Sequence, residues 1–196
     1  MYDAICLASG GLDSVTCLHL LRRQGIKVLP VFINYGQKNL ERELGALQEN
    51  VAAGGFVAPI VVDVSGFGSV IRTGLTDPSK RVVEDAFTPN RNLLFLVLAA
   101  SVAYSRGVSS IVVGLLSEQT AIFTDQSDQF LQAAEAAICE SLGVRVTIVC
   151  PLRDMVKQDV ISLSKAVGVT RSYSCHGGTI EPCGKCIACL EYLTEG

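Results

Sequence analysis

The stretch Ser9-Gly10-Gly11-Leu12-Asp13-Ser14, set directly behind the apolar run Ala4-Ile5-Cys6-Leu7-Ala8, restricts what this chain can fold into more than any other feature. Two adjacent glycines let a backbone turn sharply and bring its N–H groups close to an anion. Val15, Leu18 and Leu21 follow at helical spacing and Gly25 stops the run, so the turn lies between a strand and the start of a helix. A helix N-terminus adds about half a positive charge there. Ser9 and Ser14 add hydroxyl donors. Asp13 would repel a bare phosphate, so it makes sense as a Mg²⁺ ligand or as a helix cap. A tight βα turn with an ordinary cap is the blander reading. The position, at a strand's carboxyl end, is where open α/β sheets bind ligands.

The rest of the chain supplies such a sheet. Residues 4–8, 28–33, 59–64, 110–114 and 145–149 are rich in Val and Ile without clean polar alternation, as strands buried on both faces of a parallel sheet are. Helical patterns lie between them: residues 40–53, residues 92–103, the set Phe130, Leu131, Ala134, Ala137 and Ile138, and a last helix over 155–167. Strand and helix alternate, which predicts a doubly wound, mostly parallel five-stranded α/β sheet. Residues 65–87 fit neither pattern and read as a long active-site loop or a mobile lid. From Arg171 onward periodicity is lost. We therefore expect an α/β nucleotide-binding domain over 1–170 and a cysteine-bearing tail over 171–196, packed on it.

Composition narrows the function. With 49% hydrophobic and 18% charged residues the chain is on the globular side of the disorder boundary. A net charge of -3 offers no general cationic surface for nucleic acid. The N-terminus lacks a signal-peptide h-region, and the longest apolar run, residues 93–100, is far below a membrane span, so the expected location is cytoplasmic. In a reducing compartment clustered cysteines point to metal rather than disulfides. Cys175, Cys183, Cys186 and Cys189 are such a cluster, spaced C-x7-C-x2-C-x2-C. Four thiolates complete a tetrahedral Zn²⁺ site with no open position, which suits a structural role, and an iron–sulfur cluster is the rival. A metal would also supply folding free energy that so apolar-poor a tail lacks. Cys6, Cys17, Cys139 and Cys150 fall in strand and helix patterns and read as small buried hydrophobes, and His19 as a structural histidine.

The loop string matches the S-G-G-x-D-S signature of the PP-loop ATP pyrophosphatases, and no Walker-type G-x-x-x-x-G-K-[ST] occurs. Together with the four-cysteine end, it makes the chain resemble the 7-cyano-7-deazaguanine synthase (QueC) family. Phe32-Ile33-Asn34-Tyr35-Gly36-Gln37 with Glu41 resembles that family's F-x-Y-G-Q-x and following glutamate, with one extra residue before the tyrosine. Residues 88–96 resemble its V-P-x-R-N-x-x-F-L, and Ser172-Tyr173-Ser174-Cys175 and Cys183-Gly184-Lys185-Cys186-Ile187-Ala188-Cys189 resemble its S-x-S-C and C-G-x-C-x-x-C. The resemblance implies an adenine nucleotide alpha-hydrolase-like fold and a homodimer. It also implies a ligase that adenylates 7-carboxy-7-deazaguanine, admits ammonia to form the amide, then dehydrates the amide to the nitrile.

On that resemblance Ala8, Ser9, Gly10, Gly11, Leu12, Asp13 and Ser14 bind ATP, with Mg²⁺ at Asp13. Asp13, Ser14 and Arg91 are the candidate catalytic residues, Arg91 steadying phosphate or the acyl group. Asn34, Tyr35, Gln37, Asn90 and Asp125 are candidates for the substrate pocket, and the four cysteines for structural Zn²⁺. One segment departs from the pattern. Where the family carries Y-P-D-C-R-P-E-F, this chain has Phe123-Thr124-Asp125-Gln126-Ser127-Asp128-Gln129-Phe130, keeping only the aspartate and the final phenylalanine. Substrate or partner arrangement can therefore differ. The alternatives are an amide-forming relative that joins a deazapurine or other carboxylate to an amine or protein, a tRNA-modifying enzyme, for which an acidic chain lacks the basic domain, and a non-catalytic nucleotide-binding module.

Overall fold

A computed structural model describes residues 1–193. Its centre is a five-stranded sheet built from β1 (Ala4–Leu7), β2 (Val28–Asn34), β3 (Ile60–Asp63), β4 (Ser110–Val112) and β5 (Thr147–Val149). All pairings are parallel, in the order β3-β2-β1-β4-β5. The sheet is thus parallel throughout among the described residues, beyond the mostly parallel expectation. The helices are α1 (Leu12–Arg23), α2 (Leu40–Gly54), a short α3 (Gly66–Val70), α4 (Arg91–Ser105), α5 (Asp128–Leu142), α6 (Lys157–Val167) and a four-residue α7 (Ile187–Leu190).

The two-residue side-chain period of a strand explains why β1 and β2 read as unbroken apolar runs. Ile5 and Leu7 point into one core with Leu29, Val31 and Ile33, Ala99 and Ala103 of α4, and Ala134 and Ile138 of α5. Ala4 and Cys6 point into the other, with Val28 and Phe32, Val15 and Leu18 of α1, and Val160 of α6. Helices therefore cover both faces. Strand order reverses at β1, which has β2 on one side and β4 on the other, and the crevice this creates opens at the carboxyl ends of β1 and β4.

Residues 65–87, expected as a long active-site loop or a mobile lid, are a loop that carries the short α3 and is ordered by turns. Leu75 and Val82 enter the core, Gly74 N–H donates to Asp85 O at 2.7 Å, and the buried hydroxyls of Thr73 and Thr88 meet at 2.8 Å. Lys38 N–H donates to Leu75 O at 2.9 Å, tying the segment to the turn after β2. Pattern reading missed this because the apolar residues are single and the order comes from turns.

The cysteine-bearing segment is similarly integrated. Tyr173, Cys175, Cys186, Ala188 and Cys189 belong to the same core cluster as the sheet. Tyr173 N–H donates to Gly10 O at 2.9 Å, and Asn39 Nδ2 donates to Cys175 O at 3.1 Å. His19 lies in the core against Phe56, ring centroids 5.3 Å apart and nearly edge-on, away from the crevice. Cys6 and Cys17 are fully buried, whereas Cys139 and Cys150 are only partly so.

Candidate active site

The loop behind β1 is fixed by close approach. Gly10 has φ +83°, and a Cβ there would stand 2.1 Å from the backbone oxygen of Glu43, so no other residue fits without moving α2. Gly114, just beyond β4, lies flush against the start of α1: a Cβ would come within 3.1 Å of Ser14 N. Hydroxyls organise the turn. Ser14 Oγ accepts from Ser9 N at 3.1 Å, Ser9 Oγ accepts from Gly11 N at 3.2 Å, and Ser174 Oγ, from the cysteine-bearing segment, accepts from Leu12 N at 3.2 Å. Three backbone donors thus converge with the N-terminus of α1.

Asp13 is one turn into the site, and both its oxygens accept from Lys157 Nζ at 2.8 Å. Lys157, at the first position of α6 and 7% exposed, also pairs with Glu191 at 2.8 Å and lies 5.6 Å from the ring of Tyr192. Burial disfavours its charge, but Asp13 and Glu191 outweigh that and raise its pKa. The sequence reading gave Asp13 to Mg²⁺. In the structure its counter-ion is an ammonium from 144 residues away.

Above the loop is a cleft of about 230 Å³. Its apolar wall includes Leu7, Ile33, Phe95 and Phe130, and its polar side Ser9, Ser14, Glu43, Arg91 and His176. The cleft continues between the loop, Lys157, Ile187 and Ala188 of α7, and a wall formed by Thr120, Ile122, Phe123 and Gln126. Arg91 and His176 line both parts, and Arg91 Nε and His176 Nδ1 are buried without a hydrogen-bond partner. Buried polar atoms without partners are uncommon, and both belong to residues that line the cleft. Arg91 also lies 6.0 Å from the centroids of both Tyr35 and Phe95.

The candidates from sequence separate here. Ala8, Ser9, Gly11, Asp13 and Ser14 of the loop line the cleft with Arg91, Tyr35 and Gln37, whereas Gly10 packs against the Glu43 carbonyl and Leu12 enters the core. Gln37 is buried and acts within the protein: its Oε1 accepts from Tyr35 N at 2.9 Å, and its Nε2 donates to Ile33 O and to Glu43 at 3.3 Å. Asn34, Asn90 and Asp125 are outside the cleft lining. Asn34 accepts from Gly36 N and donates to Asp63, holding a turn. Asn90 has φ 59° and turns the chain into α4, which aims Arg91; asparagine tolerates this left-handed conformation. Asn90 and Asp125 share a separate shallow groove with Phe87.

Three site residues escaped sequence reasoning. Glu43, not Glu41, faces the cleft, while Glu41 is exposed. A signal for this existed: Glu43 is three and four residues before the buried Ala46 and Leu47, on the inner face of α2. Burial raises the Glu43 pKa to about 7 against the pull of Gln37, Arg91 and Asn39. Lys157 and His176 had no local signal of a role.

The four Sγ atoms of Cys175, Cys183, Cys186 and Cys189 lie within 4.8 Å of one another. Metal–sulfur bonds of about 2.3 Å in a tetrahedron require sulfurs about 3.8 Å apart, so the set fits one ion. Backbone N–H groups already point at the sulfurs, from Gly177 and Cys183 to Cys175 at 3.3 and 3.2 Å and from Cys186 to Cys183 at 3.4 Å.

A parallel sheet with this loop at its switch point and a four-thiol group beside it defines a nucleotide-binding α/β protein of the PP-loop class. Among solved structures, the chain is similar to the U34-tRNA thiolase NcsA from Methanococcus maripaludis with its [4Fe-4S] cluster. The TM-score is 0.57 at 14% identity, covering 92% of this chain and 62% of that one, a likeness of fold. The family model for "Queuosine biosynthesis protein QueC" matches residues 3–194, and the chain belongs to that family. Curated relatives include the 7-cyano-7-deazaguanine synthases of Campylobacter concisus, 30% identical over 96% of this chain and 91% of the relative, and of Chromobacterium violaceum, 34% identical over 95% and 85%.

Proposed function

We propose that this protein is an ATP-dependent ligase that converts 7-carboxy-7-deazaguanine and ammonia to 7-cyano-7-deazaguanine through an adenylated intermediate. The observation that carries this is the convergence of the S-G-G-x-D-S loop, Arg91 and Lys157 on one cleft with an apolar wall. The wall of Leu7, Ile33 and Phe95 suits an adenine ring, and the loop donors suit the phosphates. Adenylation turns a poor leaving oxygen into a good one. Charge then grows on pyrophosphate, where the N-terminus of α1, the hydroxyls of Ser9 and Ser14 and the Lys157 ammonium are preorganised. Mg²⁺ carried on the phosphates would be met by the remaining lone pairs of Asp13 and would neutralise that charge. Arg91, which lines both parts of the cleft, suits the carboxylate that is activated through its charge, and His176, kept neutral by burial and by Arg91 and Lys157, stands beside it.

In this reading the four cysteines hold Zn²⁺, which ties the segment bearing Ser174 and Glu191 against the loop. The site residues are those that line the cleft, residues 171–193 act as one unit with the α/β domain, the last three residues of the expected tail lie outside the described residues, and the protein works as a cytoplasmic homodimer. The family resemblance supports the dimer, and sedimentation or gel filtration checks it. No helix among the described residues is long and apolar enough to cross a membrane.

A second reading has one observation in its favour. Phe123 and Gln126, from the segment that departs from the family pattern, line the outer part of the cleft. An amide-forming relative with a bulkier amine acceptor would use that wall. Release of AMP and pyrophosphate tests the ligase itself: it requires 7-carboxy-7-deazaguanine with ATP, and its absence with that carboxylate contradicts the proposal.

A further inference from the structure

The chemistry proposed above releases protons beside the reacting carbon, and this inference rests on that reading. When ammonia attacks the acyl adenylate, its lone pair forms the C–N bond. The C–O bond to AMP breaks with its electrons leaving on the phosphate, and one N–H proton must go. When the amide oxygen then takes an adenylyl group from a second ATP, pyrophosphate leaves and a second N–H proton is lost. The last N–H proton leaves as the C–O bond to AMP breaks and the nitrile forms. A group that accepts protons is therefore needed three times near one atom, and adenylation of the carboxylate needs none.

Among the described residues, three carboxylates line the cleft: Asp13, Glu43 and Glu191. Asp13 and Glu191 are both paired with Lys157 at 2.8 Å. Glu43 differs. Its two oxygens accept from neutral amides, Oε1 from Asn39 Nδ2 at 3.0 Å and Oε2 from Gln37 Nε2 at 3.3 Å, and it makes no ion pair among the described residues. These amides are themselves anchored, Gln37 on Ile33 O and Asn39 on Cys175 O. The carboxylate is thus held in orientation without being locked to a cation. It also lines both parts of the cleft, so it stands where the nucleotide end meets the outer end.

We propose that Glu43 is the catalytic base of the amine-transfer and dehydration steps, taking the N–H protons and returning them to solvent. The charged and titratable groups that act on it are Arg91 from α4 and Tyr35 after β2, and Asp13, His176, Lys157 and Glu191 share the cleft lining with it. A carboxyl near neutrality in this setting matches the requirement that a base be poised close to working pH.

Glu43→Gln keeps the size of the side chain and removes the base, at the cost of one of its two accepted amide hydrogen bonds. Carboxylate-dependent ATP–pyrophosphate exchange without ammonia reads adenylation, and amide and nitrile formation with ammonia reads transfer. The variant is expected to retain exchange and to lose transfer by about 10²–10⁴-fold. In the wild-type protein, transfer at fixed free ammonia should rise as pH increases through about 7, as the carboxyl becomes a carboxylate. Unchanged transfer in Glu43→Gln overturns the proposal, as does equal loss of exchange and transfer, or a wild-type profile flat across that range. A wild-type protein that shows no exchange with this carboxylate removes the proposed function, and the inference falls with it. Exchange in the wild type with an indifferent Glu43→Gln removes the inference alone.

Discussion

The loop over residues 9–14 and the outer wall of the cleft are built on opposite principles. Residues 9–14 are held by backbone: Gly10 against the Glu43 carbonyl, Gly114 against the start of α1, and hydroxyls on N–H groups. The wall over 117–127 is held by side chains, chiefly one arginine. Arg153 pairs with Asp128 at 2.6 Å and donates to Leu116 O at 2.8 Å and Gln126 O at 2.9 Å. A site made of backbone tolerates no change of residue, whereas a wall hung on one side chain can vary in sequence and keep its place. The intact S-G-G-L-D-S string and the altered 123–130 segment follow this division.

The comparison can be broken most severely at the loop. Gly10→Val should abolish ATP binding, because the new side chain meets a backbone carbonyl and a positive φ at once. Retained nucleotide affinity by titration calorimetry would show that the loop is not fixed by close approach. Next in size, Cys186→Ser should release the bound metal and lower Tm, since structural Zn²⁺ sites supply about 10–16 kcal/mol in isolated zinc fingers. Atomic absorption and calorimetry read both, and unchanged metal content would sever the cysteines from the loop.

Lys157→Ala should lower kcat/KM by about 10²–10³-fold through loss of a preorganised cation. It should also cost on the order of 3 kcal/mol by leaving Asp13 and Glu191 facing each other, the low end for an ion pair because Glu191 is 38% exposed. A small kinetic effect with the full loss of stability would make Lys157 structural only. The smallest effect belongs to the wall. Arg153→Ala should raise KM for the carboxylate while leaving the affinity for ATP alone, and an equal change in both would erase the distinction between the two regions.

The same division explains what was legible in the sequence. β1 and β2 announced themselves because both faces are buried, and the loop because glycine and serine at fixed offsets carry its geometry. Arg91 was found through its neighbours' pattern. Lys157 was not, since it heads an unremarkable amphipathic helix and gains its role only when α6 packs beside α1. Asn34 and Asn90 were assigned to substrate because a polar residue in a motif reads as a ligand, whereas both act on the backbone around them. Glu43 was legible in principle, through its phase on α2, and was passed over for Glu41.

The most direct test of the central claim is the mass of the product formed by purified protein with ATP, Mg²⁺, ammonia and 7-carboxy-7-deazaguanine. The account predicts 7-cyano-7-deazaguanine together with AMP. An amide heavier by one water that is never consumed, or no product at all, would contradict it.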